Sequence, residues 1–263
     1  MRQQKTRRPE PTKRNEHGTK AAKSLTGRAV IGINEPILRL AQTRTDYEGA
    51  FSLLQRRYEE SGLAGVSNAS MRVMPYHLSD RSQVIVATSL RRVVGTLTLV
   101  RGAERSEFPI SKTHPEVFES LQGQIDQVAE VCSLAIDTLP SASTGEMFGQ
   151  LTRIMMFHAR RSGIEDLVAV VNPRHVRFYE RAMGFDVIGE PRPCEHVSDH
   201  LGIAIRGAVN APSRYRKRWR KFYFEGDFSP TELAAKPMTG PDRDYFRTHL
   251  VSPPPPPARR RAG

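Results

Sequence analysis

An alternation of strand and helix signals between residues 128 and 205 constrains the fold of this 263-residue chain more than any other feature. Residues 128–136 form a mostly apolar segment as long as a strand, and residues 167–171 form an uninterrupted apolar run. Between these runs, Ser143 and Glu146 have the spacing of a capping box, which predicts that a helix begins there. This order of signals predicts a β-α-β unit.

A second helix is predicted directly after the run that ends at residue 171. Asn172 is a favoured N-cap, and Pro173 suits the first helical position because its missing N–H would be unpaired there anyway. The helix is expected to extend to Met183 and to stop at Gly184. Two closing strands are expected at residues 185–188 and 201–205.

The first half of the folded region carries signals for a strand, a helix and a hairpin. Residues 37–41 form a short apolar run, and apolar side chains then recur with helical spacing from Tyr47 to Tyr58. Residues 84–87 and 93–100 are rich in β-branched side chains and predict an antiparallel hairpin. Together with the second half, these elements predict an α+β fold, an α/β/α sandwich in which a mixed sheet carries helices on both faces.

The basic charge of the chain is concentrated at its two ends. The formal net charge is +12, and residues 1–30 carry nine basic and two acidic side chains, while residues 212–263 carry twelve and five. Residues 31–211 hold 19 basic and 21 acidic side chains, which argues against a folded core that binds nucleic acid. The composition predicts a disordered basic tail over residues 1–33, a domain over 34–211 and a basic extension over 212–263. The extension is expected to contain a short helix around Phe246 and to end in a disordered Pro-rich segment.

Residues 214–221, called the basic strip below, combine six cationic side chains with two aromatic ones. The cationic residues are Arg214, Arg216, Lys217, Arg218, Arg220 and Lys221. A solvated basic helix or linker accounts for this pattern, and so does a docking surface for an acidic protein, a membrane surface or nucleic acid.

Several classes of protein are excluded by composition. The longest apolar run of the middle region has five residues, where a membrane-spanning helix needs about 20. The basic N-terminus is not followed by the apolar segment of a secretory signal. Two cysteines without CxxC spacing, and histidines without ligand spacing, predict neither a disulfide framework nor a bound metal. A cytoplasmic protein is expected.

Four blocks between about residues 36 and 210 resemble a known family. They are Tyr76-His77, residues 94–100, residues 129–137, and a segment from Pro173 through Phe178-Tyr179 to Gly184-Phe185. The last block resembles the signature of the GNAT acyltransferases, with one residue more than usual between Tyr179 and Gly184. The four blocks in this order resemble the long-chain N-acyl amino acid synthases, GNAT-like relatives of the acyl-homoserine-lactone autoinducer synthases.

This resemblance implies an N-acyltransferase that moves a long-chain acyl group from acyl carrier protein to the amine of an amino acid, through a direct ternary complex. CoA-dependent GNAT enzymes carry an arginine- and glycine-rich pyrophosphate loop where residues 141–146 hold one glycine and no arginine. The difference favours an acyl-phosphopantetheine thioester on a carrier protein as co-substrate over acyl-CoA, and no bound cofactor is expected. Because carrier proteins are acidic, the basic strip becomes a candidate docking surface.

Three side chains are candidates for catalysis. Glu130 lies in an apolar strand, where burial is expected to raise its pKa towards that of a general base, unless it only bonds a backbone N–H or an arginine. Tyr179 is the candidate acid for the leaving thiolate, with a core aromatic residue as the alternative. His77 is a candidate base or substrate-carboxylate ligand, with a loop histidine bonded to backbone as the alternative. Strand alternation places four residues on the face of Glu130: Val128, Cys132, Leu134 and Ile136.

Two backbone sites complete the expected active site. N–H groups around Cys132, Ser133 and Leu134 are expected to bind the oxyanion of the tetrahedral intermediate. Free N–H groups at a helix start are expected to bind the single phosphate of the phosphopantetheine, at three residues: Ser143, Thr144 and Gly145. A nucleophilic role for the Cys132 thiol is not expected, because a cysteine in the middle of a strand is usually a small hydrophobic residue.

Two alternative functions remain open at this stage. The first is a CoA-dependent acetyltransferase that acts on a small amine or a protein, and binding of acetyl-CoA would favour it. The second is a non-catalytic module that binds an acidic partner through its basic tails. A Glu130→Gln variant with unchanged biology would favour that module.

Overall fold

The strands of the protein form an eight-stranded mixed sheet, seen in a computed structural model that describes residues 35–102, 105–138 and 142–251. The strands are β1 (Ile37–Leu40), β2 (Gln83–Ser89), β3 (Arg92–Val100), β4 (Val128–Ile136), β5 (Asp166–Val171), β6 (Asp186–Val187), β7 (Arg192–Cys194) and β8 (His200–Ala208). The helices are α1 (Arg44–Glu60), α2 (Ile110–Thr113), α3 (Pro115–Leu121), α4 (Thr144–Arg161), α5 (Val176–Phe178), α6 (Lys217–Phe224) and α7 (Gly240–Arg247). The tail predicted over residues 1–33 and the Pro-rich end lie outside the described residues.

Alternating side chains of the sheet separate the core into clusters on two faces. Ile85 packs in the cluster beneath α4, whereas its neighbours Val84 and Val86 pack in the cluster beneath α1. In β5, Leu167 and Val168 divide in the same way between the α4 cluster and a third cluster around α2 and α3. Helices therefore cover both faces, and the predicted sandwich around a mixed sheet is confirmed.

A gap opens between the two central strands. The sheet order is β1-β2-β3-β4-β5-β8-β6, with β7 paired to β8 beside this path. β4 and β5 are parallel and are joined through α4, but their pairing covers only Val128–Glu130 against Asp166–Val168. Beyond Glu130 the two strands have no paired residues, so their backbones diverge towards the C-terminal end of β5.

A bulge in β4 interrupts the alternation of side chains that was predicted for this strand. Thr98 of β3 pairs with Cys132 and Thr96 pairs with Ala135, so β4 has one extra residue, and Ser133 has a φ of +53°. After the bulge the faces exchange, and Ile136 packs beneath α4 with Ala129. The expected placement of Leu134 and Ile136 on the face of Glu130 was therefore wrong.

The segment after β5 is helical, as predicted, but its helix type changes twice. Asn172 caps a 3₁₀ turn over Pro173–His175, α5 follows, and a π-helical turn covers Tyr179–Met183. Gly184 ends the segment with a φ of +65°, and its N–H bonds to the carbonyl of Tyr179 five residues earlier. A π turn holds one residue more than an α turn, which accommodates the additional residue between Tyr179 and Gly184.

Residues 212–251, which the composition placed in an extension, share the core of the domain. Tyr223 of α6 is fully buried in the α4 cluster and donates or accepts a hydrogen bond with the Thr152 hydroxyl at 2.9 Å. Phe246 of α7 is fully buried in the α1 cluster. The expected boundary at residue 211 does not coincide with a break in packing. The helix expected around Phe246 is present as α7.

The predictions did not cover the segment between β3 and β4. It contains the short helices α2 and α3, followed by a 3₁₀ helix over Gln122–Gln127. Phe108 and Phe118 from this segment are buried and their rings lie 5.6 Å apart. The segment matters for function because it covers the face of the sheet on which Glu130 lies.

Candidate active site

A cavity of about 330 Å³ occupies the gap between β4 and β5. Residues 130–134 of β4 form one wall and residues 169–171 of β5 form the opposite wall. Other walls come from the segment before β2, from Phe148 and Thr152 of α4, from the helical segment after β5 and from β7–β8. The divergence of β4 and β5 beside the bulge thus creates a cavity that is lined by strand backbone and by one carboxyl group.

The carboxylate belongs to Glu130, which is 1% exposed. Its Oε2 accepts a hydrogen bond of 2.9 Å from the N–H of Ile110, the first residue of α2. Burial raises the pKa of Glu130 to about 8, although the hydrogen bond from Ile110 acts in the opposite direction. A carboxyl group with this pKa exchanges a proton near neutral pH, as a general base must.

Ser133, at the bulge, is held by two side chains from the segment before β2. Its Oγ lies 3.0 Å from the Tyr76 hydroxyl and 3.0 Å from Nε2 of His77. The N–H of Met74 donates to Nδ1 of His77 at 3.0 Å, so the proton of the neutral ring lies on Nε2 and points to Ser133. The structure therefore brings together the predicted residues Ser133 and His77.

His77 itself lies behind the cavity wall. It is 2% exposed, and its ring stacks on Phe51 with a centroid distance of 4.6 Å. Burial and the nearby Arg72 lower the pKa of His77 to about 3, so the ring is neutral at physiological pH. With both ring nitrogens engaged, this geometry suits a positioning residue for Ser133 and not a proton acceptor.

Cys132 and Tyr179 both line the cavity in protonated form. Burial and the Glu130 carboxylate raise the pKa of the Cys132 thiol, which leaves little of the thiolate needed for nucleophilic attack. Burial raises the pKa of Tyr179 to about 12, so its phenol keeps a proton to donate. The Tyr179 ring packs edge-on against Phe148 and Phe185 at centroid distances of 5.9 and 5.7 Å.

The predicted phosphate site lies at the start of α4, outside the cavity lining. Ser143, Thr144 and Gly145 are exposed. The predicted capping box is present: the Ser143 hydroxyl accepts the Glu146 N–H at 3.2 Å, and the Glu146 carboxylate accepts the Ser143 N–H at 2.9 Å. A carboxylate thus lies at this helix N-terminus, where a phosphate was expected.

The six cations of the basic strip are all exposed, and they extend from before α6 into its second turn. Arg214 pairs with Asp186 at 2.5 Å, and Lys221 lies 3.9 Å from Glu225. Between the cations, Trp219 packs edge-on against Phe178, with ring centroids 5.9 Å apart. This strip lies on the surface and does not line the cavity.

Sequence reasoning missed the cationic part of the cavity lining. Arg72 is 9% exposed, and Arg174 with His175 is exposed next to the end of β5. Two further histidines, His196 and His200, come from the segment around β7 and β8. The available signal was an arginine at position 72 within an otherwise apolar run, Met-Arg-Val-Met.

The described residues contain neither a metal-binding cluster nor a membrane-spanning helix. Across residues 35–102, 105–138 and 142–251, no group of three or more His, Cys, Asp and Glu side chains is arranged to hold a metal ion. No helix in that part of the chain is long and apolar enough to cross a membrane.

Three solved structures share the fold at low sequence identity. The N-acyl amino acid synthase FeeM from uncultured soil microbes is 20% identical, with a TM-score of 0.58 over 69% of this chain and 96% of that one. The acyl-homoserine-lactone synthase LasI is 17% identical, with a TM-score of 0.56 over 74% and 98%. MesI, a CoA-dependent acyl-homoserine lactone synthase, is 16% identical, with a TM-score of 0.54 over 73% and 97%. Comparison with curated proteins gives no match.

The fold, with its cavity between diverging central strands, is that of the GNAT-like acyltransferases, as the sequence predicted. Residues 49–206, more than half of the chain, match the family model described as N-acyl amino acid synthase FeeM. The chain belongs to this family and is an acyltransferase. Family membership sets aside the alternative of a non-catalytic binding module.

Proposed function

We propose that the protein transfers a long-chain acyl group from an acyl carrier protein to the amine of an amino acid, in a ternary complex without a covalent acyl-enzyme. The observation that carries the proposal is the buried Glu130 in the cavity between β4 and β5. Membership of the N-acyl amino acid synthase family supports the reaction class. The protonated Cys132 thiol supports direct transfer.

Glu130 is the proposed base. An amino acid binds as an ammonium, and one proton must leave before the nitrogen can attack the thioester carbon. Burial raises the pKa of Glu130 to about 8, towards the alkaline pKa of the ammonium group of a free amino acid, so transfer of the proton to Glu130 is less unfavourable than transfer to an ordinary carboxylate would be. The nitrogen attacks the thioester carbon to give a tetrahedral intermediate, and collapse of this intermediate breaks the C–S bond. The nitrogen loses its second proton in this step, and the leaving thiolate gains one from Tyr179, so the products are the amide, the carrier thiol and one proton.

The bulge of β4 is the proposed oxyanion site. Ser133 and Leu134 have no paired residue on β3, and the pairing with β5 has already ended at Glu130. Backbone N–H groups of such a bulge are free of the ladder and can donate to the negative oxygen that develops on the thioester carbonyl. The hydrogen bonds that Ser133 shares with Tyr76 and His77 hold the bulge in one conformation.

Tyr179→Phe is expected to lower kcat by about 10²-fold, at the lower end of general acid catalysis, because a thiol with an ordinary pKa of about 8.5 is already a good leaving group. A pre-steady-state measurement of thiol release checks this expectation. The ring remains packed on Phe148 and Phe185, so the melting temperature should be unchanged. An unchanged kcat would assign the proton of the thiol to solvent.

The test of the proposed function is mass spectrometry of the purified protein incubated with a palmitoyl carrier protein and the twenty amino acids. One or a few N-palmitoyl amino acids are expected, and a parallel reaction with palmitoyl-CoA measures the donor preference. Absence of any product with both donors would contradict the proposal. Acetylation of amines by acetyl-CoA would then favour the CoA-dependent acetyltransferase.

The basic strip is the proposed docking surface for the carrier protein. Arg216, Lys217 and Arg218 lie at the start of α6, where the helix dipole disfavours cations by about 0.3–1 kcal/mol each. An acidic partner removes that repulsion and supplies the charge that a helix start favours. The location of these cations therefore favours a docking surface for an acidic protein over a solvated basic helix.

Replacing Arg216, Lys217 and Arg220 by glutamine is expected to raise the KM for the palmitoyl carrier protein about tenfold at low salt, because each exposed contact contributes about 0.5 kcal/mol. The KM for palmitoyl-CoA should not change. The control removes three exposed cations elsewhere: Arg81, Arg91 and Arg105. An equal effect of both triple variants would indicate a general effect of net charge and would contradict docking at the strip.

A further inference from the structure

The guanidinium of Arg72 is a buried cation in the wall of the cavity. The residue is 9% exposed, and one of its N–H groups donates to the backbone carbonyl of His196 at 2.6 Å. Its guanidinium carbon lies 5.3 Å from the centroid of the Tyr58 ring. In the described ranges 35–102, 105–138 and 142–251, no carboxylate lies within ion-pair distance of this guanidinium. By contrast, the less buried Arg39 has a two-bonded ion pair with Asp46.

A buried guanidinium without a counter-ion has lost hydration that no protein charge replaces. The neighbouring His77 and His196 do not supply a negative charge either: burial, with a contribution from Arg72, lowers the pKa of both rings and favours their neutral forms. The raised pKa of Glu130 leaves that carboxyl largely protonated at neutral pH. The cavity therefore offers a positive site for which the missing partner is an anionic ligand.

We propose that Arg72 binds the carboxylate of the acceptor amino acid, an inference that rests on the function proposed above. An amino acid carries its amine and its carboxylate on one carbon atom, so its site must provide a base and a cation within one cavity. Glu130 and Arg72 are such a pair, since both line the same cavity of about 330 Å³. A guanidinium fixed on one side by His196 presents its other N–H groups for two parallel bonds to a carboxylate.

The burial of Arg72 indicates that its ligand is the carboxylate of the acceptor and not the phosphate of the donor. A phosphopantetheine remains attached to its carrier protein, so its phosphate stays near the protein surface. Arg174 is exposed and lies at that part of the cavity lining, whereas Arg72 is nine-tenths buried. The small acceptor can reach the buried cation, and the carrier-bound phosphate is better matched by the exposed one.

The test compares amino acids with the matching amines that lack the carboxylate. Phenylalanine, leucine and glycine are measured against phenethylamine, isoamylamine and methylamine, with palmitoyl carrier protein as donor. For whichever of the three amino acids is the best substrate, we expect the kcat/KM of the wild type to exceed that for the matching amine by about 10²-fold. Arg72→Gln should remove this preference through the KM of the amino acid, with the KM of the donor unchanged. Arg72→Lys, which keeps the charge but not the paired geometry, should retain part of it.

A binding measurement separates the two proposals. Calorimetry should show that the wild type binds N-dodecanoyl-phenylalanine about 10²-fold more tightly than N-dodecanoyl-phenethylamine, and that Arg72→Gln binds both alike. The control variant, Arg91→Gln, alters an exposed arginine of the β2–β3 turn and should behave as the wild type.

Each outcome decides one of the two proposals. A wild type that acylates amino acids but binds both probes equally overturns the role of Arg72 and leaves the proposed function standing. The role of Arg72 is also overturned if Arg72→Gln raises the KM of the donor but keeps the preference for amino acids over the matching amines. A wild type that acylates none of the amino acids overturns the proposed function, and the binding ratio of the probes then decides the carboxylate site by itself.

Discussion

Glu130→Gln is expected to lower kcat/KM for acyl transfer by about 10²–10⁴-fold, the range over which a positioned general base accelerates proton transfer. The amide keeps the size of the side chain but cannot accept the proton of the acceptor ammonium. In the wild type, kcat/KM should rise with pH through about 8 as Glu130 ionises, and this rise should be absent from the residual activity of the variant. Rates measured between pH 5 and 9.5 check both statements.

The stability of the two proteins provides the control for this prediction. The pKa of Glu130 is about 8 in the folded state against an ordinary 4.5, so between these values only the folded state holds the proton. The wild type should therefore lose stability as pH rises from about 4.5 to 8, by at most about 1.4 kcal/mol for each pKa unit. Glu130→Gln should lack this loss. A variant that is both inactive and unstable at pH 6 would contradict a purely catalytic effect.

Phe246→Ala is expected to reduce the free energy of unfolding by about 3–5 kcal/mol, the usual cost of removing a buried aromatic ring. Phe246 is fully buried and contacts Phe51 and Tyr47 of α1 at ring-centroid distances of 5.2 and 6.0 Å. Chemical denaturation monitored by circular dichroism measures the change. The control is Arg247→Ala, which removes only an exposed ion pair with Asp244 and should cost less than about 1 kcal/mol.

The same burial predicts the effect of shortening the chain. A protein that ends at residue 211 would lose Tyr223 and Phe246 from two core clusters, so it should not fold cooperatively. The α7 region also holds the segment around Arg72, because the N–H of Val251 donates to the carbonyl of Val73 at 2.9 Å. An equal stability of Phe246→Ala and Arg247→Ala would contradict this role of residues 212–251.

Elements with local signals could be predicted from the sequence. The capping box at Ser143 predicted the start of α4, and Asn172, Pro173 and Gly184 bounded the segment after β5. These signals act within a few residues, so they need no knowledge of the tertiary structure. The buried strand position of Glu130 followed in the same way from its apolar neighbours.

Features that depend on contacts between distant segments could not be predicted. Ser133 gives no sign of the bulge, because serine has no preference for a positive φ, and the extra residue appears only against β3. Composition could not show that Tyr223 is buried, since the segment before it is dominated by the exposed cations of the basic strip. The hydrogen-bond partner of Arg72 is the carbonyl of His196, which lies 124 residues further along the chain.

The π turn over Tyr179–Met183 also bears on how this family can vary in length. Insertions of one residue into an α-helix normally rotate everything that follows by about 100°, whereas a π turn confines the insertion to a single turn. Here Phe178, the residue before the turn, packs on Trp219, and a Cβ added at Gly184, the residue after it, would lie only 2.9 Å from the Cβ of Arg214. A single extra residue at this place can therefore be taken up by the turn while Tyr179 still lines the cavity.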